Sequence, residues 1–105
     1  MPVANRRLVW APAARNDLRD IWRHFVGVAS PEIADRLLRD IRRASERARQ
    51  RPLTWRARDE VKPGLRSILV HPYVVFYRMT GETVEIVRVL HQRRSLAKVF
   101  PKSEP

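Results

Sequence analysis

The sequence contains no cysteine. That excludes a disulfide framework, a thiolate nucleophile and every cysteine-based metal site, and it permits a reducing compartment. Glycine occurs three times in 105 residues, too rarely for a glycine-rich loop that cradles phosphate. Three histidines, at 24, 71 and 91, have no partners at ligand spacing, so neither a metal nor a cofactor is expected. A few scattered serines do not support a Ser-His-Asp arrangement. No run of about 18 apolar residues occurs, so no membrane span is expected. The N-terminus lacks the apolar stretch of a secretory signal, and the expected location is the cytoplasm.

Acidic residues are scarce as well. Eleven Asp and Glu face 22 Lys and Arg, a net charge of +11. Both halves of the chain carry the excess: eleven basic and six acidic groups in residues 1–50, eleven and five in 51–105. Such a field attracts polyanions and acidic partners. Nineteen of the 22 cations are Arg, which also fits a genome rich in Arg codons.

What is present reads as one globular domain over residues 1–100, followed by a frayed tail at 101–105. A chain of this size buries roughly 60–68% of its unfolded surface, enough for one core. Leu8, Val9 and Trp10 suggest a short strand. Pro12 suits the first turn of a helix, and Ala14, Leu18, Ile21, Trp22 and Phe25 form its apolar stripe, with Arg15, Asp17, Arg19, Asp20 and Arg23 opposite. His24 falls on that polar side, and Gly27 is the expected stop. Ser30 and Pro31 restart a helix with Ala34, Leu37, Leu38, Ile41, Ala44 and Ala48 inward, Asp35 and Arg39 as an i,i+4 pair, and Pro52 as the stop. Residues 53–64 read as irregular, with a Pro63-Gly64 turn. Three strands follow, "LRSILV", "YVVFYRM" and "TVEIVRVL", separated by His71-Pro72 and Thr80-Gly81-Glu82. "RRSLAKVF" adds a helical turn or a short strand.

The order is β-α-α-β-β-β, an α+β domain of two layers with a helical hairpin packed on an antiparallel sheet. Trp10, Leu18, Ile21, Trp22, Phe25, Leu37, Leu38 and Ile41 are the expected core. The candidate functional groups are cations on the sheet: Arg66, Arg78 and Arg88, one per strand, then His91, Arg93 and Arg94 at the end of the last. A solvated outer face accounts for any one of them. For Arg88, inside an apolar run, the plain alternative is a partly buried pair with an acid such as Glu85 or Glu60.

The segments "ARNDLRDIW", "GLRSILVHPYVVFYRM" and "VEIVRVLHQRRSL" resemble the ParE branch of the RelE/ParE toxins of bacterial toxin–antitoxin systems, in order, over residues 8 to about 97. The resemblance implies a type II toxin that inhibits DNA gyrase and is neutralised by an acidic, ParD-like antitoxin wrapped across the helical hairpin and sheet. Leu18, Trp22, Phe25, Leu38 and Arg78 are the residues expected to meet that antitoxin, and Arg88, His91, Arg93 and Arg94 those expected to meet the target. RelE-like relatives instead cut mRNA on the ribosome without a metal. That alternative would use Arg66, Arg78, His91 and Arg93. Against it, RelE-like members commonly carry a late Tyr and an Arg in the middle sheet strand. Here the last Tyr is Tyr77, Phe100 stands near the late position, and Tyr73-Val74-Val75 occupy the strand. His91 is the remaining acid/base.

Overall fold

Proline sets the limits of both long helices. In a computed structural model that describes residues 6–101, strand β1 (Arg7–Trp10) leads into helix α1 (Pro12–Val28) and helix α2 (Pro31–Gln50). Pro12 and Pro31 each occupy the start of a helix, and the Ser30 side chain accepts the Ile33 N–H at 3.2 Å, as expected of an N-cap. Gly27 does not stop α1. The helix runs one residue further because Pro31 makes the break: it forces Ser30 into extended backbone, φ −163° and ψ 161°. The expected tail, apart from Pro101, lies outside the described residues.

Strands β2 (Arg56–Ala57), β3 (Arg66–Val70), β4 (Tyr73–Thr80) and β5 (Thr83–His91) complete a five-stranded sheet in the order β1-β5-β4-β3-β2. β3, β4 and β5 form the expected antiparallel meander. Two features were not foreseen. β1 pairs in parallel with β5, Arg7 with Thr83 through Trp10 with Ile86, so the sheet is mixed at that edge. β2 lies within the stretch read as irregular, and pairs with only Ser67 and Arg66. Two residues are too few to leave a pattern of alternation.

One face of the sheet packs under α1 and α2, through Leu18, Ile21, Ile41, Ile68, Val75 and Ile86 among others. Three residues expected in this core behave as expected: Leu18, Ile21 and Ile41 are buried. Trp10, Phe25, Leu37 and Leu38 are half-buried against it. Trp22 is not core. It stays 36% exposed on the flank of the helical hairpin, where its indole N–H donates to Asp35 at 2.9 Å. That bond ties α1 to α2, and it occupies the carboxylate that the sequence pairs with Arg39; no Asp35–Arg39 ion pair forms among the described residues.

The opposite face carries its own smaller cluster of Leu65, Phe76, Leu90 and Phe100. A helical turn, α3 (Leu96–Val99), folds the chain back so that Phe100 meets Phe76 at a ring separation of 5.2 Å. β5 serves both faces by means of a bulge. Phe76 pairs with Arg88 but Tyr77 pairs with Ile86, which leaves Val87 as the extra residue. Before it, Val84 and Ile86 face the helices; after it, Val89 does. An uninterrupted strand would have put Arg88 there.

Tyr77, fully buried, donates its hydroxyl to the Pro52 carbonyl at 2.7 Å. Arg66 donates to the carbonyls of Trp55 (2.7 Å) and Leu53 (3.3 Å). Together they pin the loop after α2 to the sheet. Burial pushes the Tyr77 phenol up to about 12, against a partial opposing effect of Arg66. Its unfolded value is about 10. The raised folded value means that Tyr77 adds stability in full below about pH 10, and that this contribution disappears as pH rises through about 12. Tyr77→Phe should therefore lose about 0.5–1.5 kcal/mol at pH 7 and show a flatter alkaline decline in melts taken from pH 7 to 12. Tyr73, raised by burial too, keeps the remainder of that slope.

Candidate functional site

An arginine in a strand must find water or an acid. Arg88 finds Asp17, in the second turn of α1. Its Nε donates to Oδ2 at 2.8 Å and its NH2 to Oδ1 at 2.9 Å, a two-pronged contact. The side chains are 23% and 12% exposed. The same Oδ2 accepts the Val89 backbone N–H at 2.9 Å. β1 covers β5 only as far as Ile86, where the Ala11 N–H closes the ladder on the Ile86 carbonyl at 2.9 Å. Beyond that point α1 replaces β1 along the edge, and one carboxylate serves as the next hydrogen-bond acceptor. The hydrogen bond that Arg88 donates to Asp17 raises the Arg88 pKa, against some loss of solvation. The acid is thus neither Glu85, which pairs with Arg78 at 2.7 Å, nor Glu60, which pairs with Arg58 at 3.0 Å. Asp17 borders the apolar stripe instead of lying opposite it. Its place next to Leu18 hints at this, but only the β1–β5 pairing brings it to residue 88.

The end of β5 is a held turn. The His91 ring lies edge-on to Tyr73, with centroids 5.6 Å apart. Its Nδ1 accepts the Arg93 N–H at 3.1 Å, its carbonyl accepts the Arg94 N–H at 2.8 Å, and the Gln92 N–H donates to the Pro72 carbonyl at 2.8 Å. Arg93 and Arg94 are exposed, and their guanidinium groups have no partner among the described residues. Three of the four target candidates, His91, Arg93 and Arg94, are thereby presented together on a fixed backbone, while the Arg88 guanidinium is committed to Asp17.

The set that RNA cleavage would need is not assembled. Arg66 pairs across the sheet with Tyr77, and Arg78 is the next residue of that strand; His91 pairs with Tyr73 at the other end. Four strand residues separate the two ends, roughly 13 Å. Arg66 is engaged by carbonyls and Arg78 by Glu85. The Tyr77 hydroxyl is committed to Pro52. No group of three His, Asp or Glu among the described residues is placed to hold a metal ion.

Of the residues expected to meet an antitoxin, Leu18, Trp22 and Leu38 come together. With Arg15, Arg19 and Arg42 they line an open groove of about 320 Å³ between the helices. Phe25 lies apart, half-buried, its ring 6.2 Å from Tyr73, and Arg78 is on the sheet. A larger groove, of about 630 Å³, contains Arg47, Trp55, Arg56 and Arg58 together with His91. The sequence gives no sign of that group, because its members come from α2, the loop and two strands.

Residues 8–96 match the family described as ParE toxin of type II toxin–antitoxin system, parDE. The chain is 40% identical over 88 residues to toxin ParE1 of Mycobacterium tuberculosis, covering 83% of this chain and 90% of that one. It is 32% identical over 96 residues to toxin ParE3 of Caulobacter vibrioides, covering 91% and 96%. Its fold matches a chain of the chromosomal ParDE system from P. aeruginosa with a TM-score of 0.73 and 27% identity, over 82% of this chain and 95% of that one.

The Asp17 carboxylate can be tested by a double-mutant cycle in urea. Asp17→Asn should lose about 1–3 kcal/mol, the range for hydrogen bonds to a charged group, towards the lower end because water reaches Arg88. Asp17→Asn with Arg88→Met should recover part of that loss. Additive losses would mean that the pair does not act as a unit.

Proposed function

The chain belongs to the ParE toxin family of type II toxin–antitoxin systems, and from that membership we propose that it arrests growth in the cytoplasm by binding DNA gyrase, breaks no bond itself, and is silenced by a cognate acidic antitoxin. The observation that carries the non-catalytic reading is the separation of Arg66 and Arg78 from His91 and Arg93 along β4. Phosphodiester cleavage needs a base, an acid and cations converging on one phosphate. A binding surface has no such requirement. It needs side chains held outward on rigid backbone, as His91, Arg93 and Arg94 are.

Charge and shape support a site for the antitoxin between the two helices. Trp22 and Leu38 offer apolar anchors between the helices, and Arg15, Arg19 and Arg42 rim them. An amphipathic helix with acidic flanks fits that pattern, its apolar side in the groove and its carboxylates on the rim. The domain takes no membrane partner in this reading; no described helix is long and apolar enough to cross one.

Expression without an antitoxin should stop growth, and purified protein should block supercoiling by gyrase while leaving ribosome-bound mRNA intact. Arg93→Ala with Arg94→Ala should abolish arrest with an unchanged melt, since surface changes of this kind move stability by less than ~0.5 kcal/mol each. Trp22→Ala should weaken antitoxin binding by about 30-fold, the usual consequence of losing a buried aromatic anchor. Cleavage of ribosome-bound mRNA that is lost in His91→Gln would replace this reading with the RelE-like one.

A further inference from the structure

β2 protects only the first two residues of β3, so from Ile68 onward the outer edge of the sheet is open. The groove of about 630 Å³ runs over this edge, from Arg47 on α2 to His91 and Leu96. Arg47, Arg56 and Arg58 line it and, among the described residues, no acidic one does. Arg58 is held in place: its Nε donates to Glu60 at 3.0 Å, its NH1 to Ser67 Oγ at 3.3 Å, and its guanidinium lies 5.5 Å from the Phe76 ring centroid. The Arg47 and Arg56 side chains are exposed and make no hydrogen bond among the described residues. Glu60, beside the groove, is already compensated. Its carboxyl is held below the usual range first by a backbone hydrogen bond and then by Arg58 and Arg56.

Two flat rings join the cations. Trp55 is half-exposed, with its indole N–H 3.5 Å from the Arg47 carbonyl. His91 is exposed, and because its Nδ1 accepts from Arg93, its Nε2 is left as the donor.

We propose that this groove binds a short single-stranded stretch of nucleic acid, with phosphates on Arg47, Arg56 and Arg58 and a base stacked on Trp55. Cations that follow a backbone, interleaved with aromatic faces, are how proteins hold unpaired strands without reading sequence. An acidic peptide is the competing occupant. The observations favour the nucleic acid because, among the aliphatic lining residues, Leu69, at 59% exposed, is the one that is mostly exposed, whereas the groove between the helices already supplies a peptide with Trp22 and Leu38. The proposal does not depend on which target the toxin acts on.

The test is fluorescence anisotropy on the purified full chain, with labelled oligothymidylate and oligouridylate of about 12 nucleotides, over a salt series. The DNA and RNA arms identify the sugar, and binding of either supports the proposal. Arg47→Ala with Arg56→Ala should weaken binding at least about 10-fold and reduce the log–log salt slope by about 1.4, from two lost phosphate contacts. Arg23→Ala with Arg36→Ala removes the same charge from outside the grooves and should weaken it less than about 3-fold. Trp55→Leu should weaken binding about 10-fold and leave the slope unchanged, because stacking releases no counterions. If Trp55→Leu does not fold, quenching of tryptophan emission by the oligonucleotide in a Trp10→Phe/Trp22→Phe variant, where Trp55 is the one indole, reports the same contact, and its absence would overturn the stacking. Equal losses in the two charge pairs would overturn the proposal. So would no binding of either strand at about 0.1 M salt, or displacement of the strand by polyglutamate at equal charge.

Discussion

Asp17 does for the far half of β5 what a longer β1 would otherwise do. It accepts the Val89 N–H on an edge that β1 has already left, and it binds the Arg88 guanidinium beside it. Neither partner would tolerate the other's absence well: a half-buried guanidinium without an anion and a strand N–H without an acceptor both carry desolvation penalties. The contact joins residues 17 and 88, so it also locks the first helix to the last strand. The bulge at Val87 belongs to the same arrangement. It keeps the cation off the face beneath the helices and gives that place to Val89, and the rest of β5 continues in register to His91.

The positive charge is divided between two kinds of position. Arg58, Arg66, Arg78 and Arg88 are engaged by carboxylates or carbonyls and hold the fold. Arg93, Arg94, Arg47 and Arg56 make no side-chain hydrogen bond among the described residues. An excess of eleven positive charges would oppose compaction through self-repulsion if it were crowded into the core. Here Arg78 and Arg88 are neutralised by Glu85 and Asp17, Arg66 is held by carbonyls, and the exposed cations are left where water and partners reach them.

Most of the architecture was legible because it rests on local rules. Pro12, Ser30-Pro31 and Pro52 bound the helices, apolar spacing of three and four marks their inner faces, and alternation marks the meander. What could not be read were facts of the third dimension. Trp22 sits at stripe spacing, yet the stripe is wider than the surface available to cover it, and the indole N–H has a carboxylate within reach at the rim. Arg88 looked like a cation on a strand with nearby acids, and its partner proved to be 71 positions away in the chain. The basic residues of the edge groove are spread over three elements and a loop, so no spacing rule unites them. The segment "HQRRS", by contrast, was legible as a cluster, because consecutive residues in a turn stay together whatever the rest of the chain does.

The parallel pairing of β1 with β5 has a consequence for the order in which the protein is made. Arg7 through Trp10 leave the ribosome early, but their partners, Thr83 through Ile86, are translated last among the sheet residues they need. At a synthesis rate of about 5–20 residues per second, the first strand waits roughly 4–15 s for its mate. The Asp17–Arg88 lock waits about as long, and the basic turn beyond β5 acquires its support only afterwards. A nascent chain can form its helical hairpin during this interval while the sheet remains open. The helical hairpin is also the part with the apolar groove. A growing chain would thus expose the groove proposed for the antitoxin before it completes the basic turn proposed to meet the target.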